Sequence, residues 1–180
     1  MKHVLILLAL ALPLAAEDWP QFLGPRRDGS YHGKPLPRWP IAGLAVVWKM
    51  DIGAGFAGPS VAGGRLFLFH RTAGREVLEC ANATTGKTIW KYQSTTDYID
   101  DFGFDDGPRA VPTISAGRVY TLGANGLIKC NDAATGKLLW KVDVRKQFEA
   151  GKGFFGLACS PLISGRNILI NIGGRSAGII

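Results

Sequence analysis

CANATTGKTIW, residues Cys80 to Trp90, recurs as CNDAATGKLLW, residues Cys130 to Trp140, at an offset of fifty with six of eleven positions identical. In each copy a short A-x-T-G-K tract separates two apolar runs. EVLEC from Glu76 and LIKC from Leu127 lead in; TIWKYQ from Thr88 and LLWKVDV from Leu138 lead out. Such runs are rich in β-branched and aromatic residues and are bounded by turn formers, which marks strands. Gly86 and Gly136 supply the positive φ of a tight reversal, and the Thr or Asp ahead of them can bond the turn backbone. Lys87 and Lys137 follow the glycines, and Trp90 and Trp140 close the signature. Each tract predicts a β-hairpin.

The same period appears upstream. PSVAGGRLFLF begins at Pro59, PTISAGRVYTL at Pro112 and PLISGRNILI at Pro161. Each reads as a strand, a Gly-Arg turn (Gly64-Arg65, Gly117-Arg118, Gly165-Arg166) and a second strand. The complete unit is four strands with a period near fifty, which is the form of a propeller blade. The expected fold is all-β: a β-propeller of four-stranded antiparallel blades, about two and a half of them, in an incomplete ring. Blades are expected over 57–93 and 109–144, with a partial blade over 158–180. VVWKMDI around Trp48 reads as the last strand, 46–52, of a preceding blade. Residues 17–45 read as an extended N-terminal segment. The recurring Trp90 and Trp140 are expected to be buried between adjacent sheets.

The first sixteen residues are of a different material. Lys2 precedes the apolar run VLILLALAL, and PLAA precedes Glu17. This is the layout of a secretory signal peptide over 1–16, and the run is too short to span a bilayer. It predicts export, to a periplasmic or extracellular location. No later stretch is apolar enough for a transmembrane segment. The formal net charge is +7, but the basic residues are dispersed, so a nucleic-acid partner is not expected. Three cysteines cannot pair completely, and equivalent repeat positions lie too far apart for a disulfide, so Cys80, Cys130 and Cys159 read as small buried hydrophobes.

The A-x-T-G-K-x-x-W signature resembles the repeat of the pyrrolo-quinoline quinone (PQQ) type propellers. These include quinoprotein dehydrogenases and cofactor-free relatives such as the outer-membrane assembly propeller. The opening DWPQFLGPRRDG, Asp18 to Gly29, also resembles the start of exported members. In the cofactor enzymes the resemblance implies a vicinal cysteine pair, carboxylate and amide ligands for calcium, and an aspartate base. This chain has no adjacent cysteines. No cofactor is expected in it; PQQ with calcium is the alternative. The chain stops at SAGII within the third blade, before another signature arrives, so either several copies complete a ring or, as the abrupt end favours, the remaining blades are expected to lie elsewhere in a longer protein.

Chemistry concentrates in TDYIDDFGFDDGPRA, Thr96 to Ala110, which holds five aspartates followed by Arg109. It joins one blade's last strand to the next blade's first. The corresponding joins are GAGFAGP around Phe56 and GKGFFGLACSP around Phe154 and Phe155, and each carries Gly-Phe. Such joins share one face of a propeller and approach its channel, and loops on a rigid scaffold collect binding residues. Asp101, Asp105, Asp106, Arg109, Phe56, Phe104 and Phe155 are therefore the candidate channel-face set, suited to a cation, a sugar or a protein segment. The competing reading has the phenylalanines plugging gaps between blades, Arg109 pairing with one aspartate and the remaining charges solvated. The function expected is that of an exported, non-catalytic binding or assembly scaffold with a protein or polysaccharide partner. The alternative is a fragment of a PQQ-dependent alcohol or sugar oxidoreductase.

Overall fold

The computed structural model describes residues 17–35 and 37–180; the leader expected over 1–16 lies outside the described residues. Two four-stranded antiparallel sheets follow each other. The first contains β1 (Ser60–Ala62), β2 (Arg65–Thr72), β3 (Arg75–Asn82) and β4 (Thr88–Thr95); the second contains β5 (Thr113–Ser115), β6 (Arg118–Leu122), β7 (Leu127–Asp132) and β8 (Leu138–Asp143). A short helix, α1 (Val144–Gln147), leads toward a third unit with β9 (Leu162–Ser164) paired to β10 (Asn167–Leu169). An isolated bridge between Asn171 and Ile179 continues that unit. This is part of an all-β propeller.

Repetition of sequence becomes repetition of register. Cys80 faces Trp90 and Cys130 faces Trp140, and both sheets shift register at the next residue, between Cys80 and Ala81 and between Cys130 and Asn131. The turn that follows is built the same way twice. Asn82 Oδ1 accepts from the backbone N–H groups of Thr84 and Thr85, and Asp132 Oδ1 from those of Ala134 and Thr135. Gly86 and Gly136 then take φ values of 70° and 76°.

The tryptophans lock one repeat to the next. Trp48 Nε1 donates to Ala83 O at 3.1 Å, and Trp90 Nε1 donates to Ala133 O at 3.2 Å. Their rings lie on the turn glycines: a Cβ on Gly86 would sit 2.7 Å from the Trp48 ring, and one on Gly136 would sit 2.5 Å from the Trp90 ring. The sequence places these rings deep between sheets; instead both are half-buried, Trp90 because its indole caps a surface turn of the following repeat and Trp140 packed at the margin of the core shared with the third unit. The turn glycine is thus required twice, for its φ and for the space above it.

Apolar faces fill the wedges between units. Phe67, Phe69, Leu78 and Cys80 of the first sheet meet Val119 of the second. Leu122, Ile128 and Val144 meet Leu157, Ile170 and Ile172 of the third unit. A buried ion pair spans the first wedge: Lys129 Nζ lies 2.6 Å from Glu76 Oε2, with both side chains almost inaccessible. Near the inner strands, Ser60 Oγ donates to Pro112 O and Thr113 Oγ1 to Pro161 O, each at 2.6 Å. A hydroxyl residue after the repeat proline therefore bonds the next repeat's proline carbonyl.

Three further expectations need correction. The turns expected at Gly64-Arg65 and Gly117-Arg118 lie one residue earlier, at Gly63-Gly64 and Ala116-Gly117, all with positive φ. Ala116 takes the left-handed conformation without glycine, so Arg65 and Arg118 already open β2 and β6. Residues 46–52 form no strand, because no described strand lies alongside them to share a ladder; Trp48 nevertheless keeps its lock. The N-terminal segment is extended only in part, since residues 21–29 run through consecutive turns and bends.

Candidate functional site

The three Gly-Phe joins fasten to one another in sequence. Phe56 N and Ala57 N of the first join both donate to Pro108 O of the second, and Gly55 N donates to Asp105 Oδ2. The second join meets the third through Lys152 Nζ and Asp101 Oδ1, 2.5 Å apart. Gly156 lies against Tyr98 and the backbone of Ala124, where a Cβ would sit 2.7 Å from either.

Asp100, rather than the candidate aspartates, organises the second join. Its side chain is 1% exposed and that of Arg109 is 6% exposed, and the two pair at 3.0 Å. Asp100 Oδ1 also accepts from the N–H groups of Phe102 and Phe104, and Oδ2 accepts from the Tyr98 hydroxyl. Burial by itself would raise the Asp100 pKa, but these N–H groups, the Tyr98 hydroxyl and the Arg109 charge outweigh it and hold the carboxyl below its ordinary value. Burial pushes the Tyr98 phenol up against the opposing charge of Arg109, and Asp100 adds to the rise. Arg109 donates further to Asp105 O and Gly107 O, and its guanidinium lies over Tyr98 and Phe56 at 4.6 and 5.4 Å from the ring centroids. Arg71 supports the loop from beneath, donating to Tyr98 O and Asp106 O.

The other candidate aspartates have separate partners. Asp105 accepts from Gly107 N and Gly55 N, Asp106 from Asp100 N, and Asp101 pairs with Lys152. The carboxylates therefore structure loops instead of converging on a common point. What converges is aromatic. Phe102 stacks on Phe154 with centroids 4.0 Å apart, and Phe155 packs edge-on against Phe102, Phe104 and Phe154 at 6.1, 5.7 and 4.6 Å. Phe102, Phe104, Phe154 and Phe155 are 50%, 68%, 62% and 43% exposed. The candidate set thus divides: Phe56 goes with Arg109, Phe104 with Phe155, and Asp101 with Lys152. Asp100, Tyr98, Phe102, Lys152 and Phe154 were missed as members. Their signal was weak because non-periodic contacts reveal them, within the second join for Asp100 and Tyr98 and between two joins for Phe102, Lys152 and Phe154.

A cleft of about 930 Å³ adjoins this face, lined among others by Trp19, Phe22, Leu23, Phe56, Arg109 and Cys159. The carboxylates of the joins do not make a calcium site. Asp100, Asp105 and Asp106 already accept from backbone N–H groups or Arg109. Among the described residues no group of three His, Cys, Asp or Glu side chains is placed to hold a metal ion. All three thiols are free, with Cys80 and Cys130 fully enclosed; burial pushes the Cys80 thiol up to about 11 and raises Cys130 as well.

The comparisons agree with the architecture. Residues 45–175 match the family model described as outer membrane protein assembly factor BamB. The quinohemoprotein alcohol dehydrogenase from Comamonas testosteroni is similar at 26% identity and a TM-score of 0.58, over 87% of this chain and 23% of that one. The quinohemoprotein alcohol dehydrogenase ADHIIG from Pseudomonas putida HK5 is similar at 25% identity and a TM-score of 0.52, over 71% of this chain and 18% of that one. BamB from Moraxella catarrhalis aligns at 16% identity and a TM-score of 0.43, over 76% of this chain and 52% of that one. The chain therefore spans less than a quarter of either dehydrogenase and about half of that BamB. No curated protein matches. With the repeat register, the tryptophan locks and the family match over 45–175, this chain belongs to the PQQ-like β-propeller family described as outer membrane protein assembly factor BamB.

Proposed function

We propose that the chain is part of an exported, non-catalytic binding scaffold and that it holds a protein partner on the face made by its Gly-Phe joins. The observation that carries this reading is the exposed cluster of Phe102, Phe104, Phe154 and Phe155. Exposed aromatic rings held in place by a rigid support are the usual anchors of protein interfaces. The support here is the Asp100–Arg109 pair beneath the loop. The aspartates tie down the loops, and the rings remain free to make contact.

Site-specific photo-crosslinking tests this. A photoreactive phenylalanine analogue at position 154, in the protein expressed in its own cell envelope, gives a discrete protein adduct. The same analogue at Lys91 on β4, away from the joins, gives none. Equal adducts at the two positions, or no adduct at 154, overturn the reading. A second reading, a piece of a PQQ-dependent oxidoreductase, is favoured by the 26% identity to a quinohemoprotein alcohol dehydrogenase. It requires quinone and calcium ligands in addition to the residues described.

A further inference from the structure

The N-terminal segment touches the blades in an unusual way. Trp19 exchanges both backbone hydrogen bonds with Val61 of β1, at 2.8 and 2.9 Å. Pro20 O accepts from Ile114 N of β5 at 2.8 Å, and Arg27 Nη2 donates to Ile163 O of β9 at 2.8 Å. Asp18 Oδ1 accepts from Gly63 N in the β1–β2 turn. One short stretch of chain therefore crosses the first strand of three successive repeats. β1, β5 and β9 each lie at an edge of their sheet, so their outward N–H and C=O groups are open to another segment.

The stretch is compact in itself. The Trp19 ring lies over Gly24, where a Cβ would be 2.8 Å from it. Its link to the body is loose: among the described residues between Ser30 and Ala45, the one backbone hydrogen bond outside strands is the local Gly43 N to Pro40 O. Those residues are almost all exposed. The chain is fixed again at Trp48, on the turn of the first sheet. Trp19, Phe22, Leu23 and Arg27 form one wall of the 930 Å³ cleft.

We propose that the edges of β1, β5 and β9 form a docking track for a peptide that pairs as a strand at Trp19 and turns after it, and that residues Asp18–Arg27 are its exchangeable occupant, bound in cis and forming one wall of the cleft. This site adjoins the phenylalanine face but shares none of its four exposed rings, and it stands whether or not a protein docks there. Backbone pairing at Trp19 supplies affinity, as in strand addition to a sheet edge, while the Trp19 ring and the Asp18 carboxylate supply selectivity. A tether of this length holds its ligand at an effective concentration on the order of millimolar. A free peptide of the same sequence at micromolar concentration is therefore excluded until the tether is cut.

The test uses the full chain with a protease site inserted after Gly33 and a dye-labelled peptide of residues 17–29 as probe. Uncut protein takes up no probe at micromolar concentration. Cut protein keeps its far-ultraviolet spectrum, exchanges its own segment and binds the probe saturably. A probe carrying Trp19→Ala binds at least tenfold more weakly. Equal uptake before and after cutting, retention of the cut segment without exchange, or unfolding on cutting each overturns the proposal; the last two would make the segment a fixed part of the fold.

Discussion

Replacing Gly136 by alanine separates the two demands on the turn glycine. At φ 76°, an alanine pays the left-handed backbone penalty of about 1–2 kcal/mol. Its Cβ would also sit 2.5 Å from the Trp90 ring, so the indole has to move. Moving it breaks the hydrogen bond to Ala133 O, about 1 kcal/mol, and exposes part of a half-buried ring, about 1–2 kcal/mol more. The total is about 3–5 kcal/mol. Gly117 is the internal control: its φ is 72°, and a Cβ there meets nothing within 4 Å. Gly117→Ala therefore shows the backbone cost alone. Urea unfolding followed by tryptophan fluorescence reads both, and the difference of about 2–3 kcal/mol amounts to a midpoint shift of about 1 M. In a Trp90→Ala background, Gly136→Ala should cost no more than Gly117→Ala. Equal costs for the two substitutions in the wild-type background would refute the lock between repeats.

Other outcomes follow from buried polar groups. Lys129→Ala strands the Glu76 carboxylate in the wedge between sheets and costs about 3–5 kcal/mol in chemical unfolding, whereas Glu76→Met with Lys129→Met recovers most of it; an unchanged midpoint for Lys129→Ala contradicts this. Thiol titration with an aromatic disulfide at pH 8 finds Cys159 alone in the native protein and all three after unfolding, since Cys80 and Cys130 are enclosed and Cys80 titrates near 11. Asp100 has a folded pKa below its ordinary 3.8, so its contribution to loop order is complete above 3.8 and is lost as pH falls through the folded value. Proteolysis of the Thr96–Ala110 loop should accelerate in that acid range, and Asp100→Asn should remove the acid dependence; a loop equally resistant at pH 3 and pH 5 contradicts this.

The propeller was legible because its determinants recur. Gly86 and Gly136, the turn threonines and the Trp-Lys pairs stand in register fifty residues apart. Errors arose where one chain position has two solutions: Ala116 adopts the conformation a glycine was expected to supply, which moves the turn by one residue. The loop face was half-legible. The recurrent Gly-Phe joins marked the right segments, but five aspartates in fifteen residues suggest a charged surface, while Asp100, Asp105 and Asp106 in fact accept from backbone N–H groups of the joins. Bonds of this kind are non-periodic and leave no pattern in a single sequence. The crossing of β1, β5 and β9 by Asp18–Arg27 was invisible for the same reason, since each contact occurs once and joins residues far apart in the chain.

The role proposed for this chain is binding and not redox turnover. The most direct measurement is alcohol- or sugar-dependent reduction of an electron-accepting dye by the purified, folded protein after incubation with PQQ and calcium. The account predicts a rate equal to that of PQQ and calcium without protein. Steady turnover that requires protein, PQQ and calcium together would contradict it.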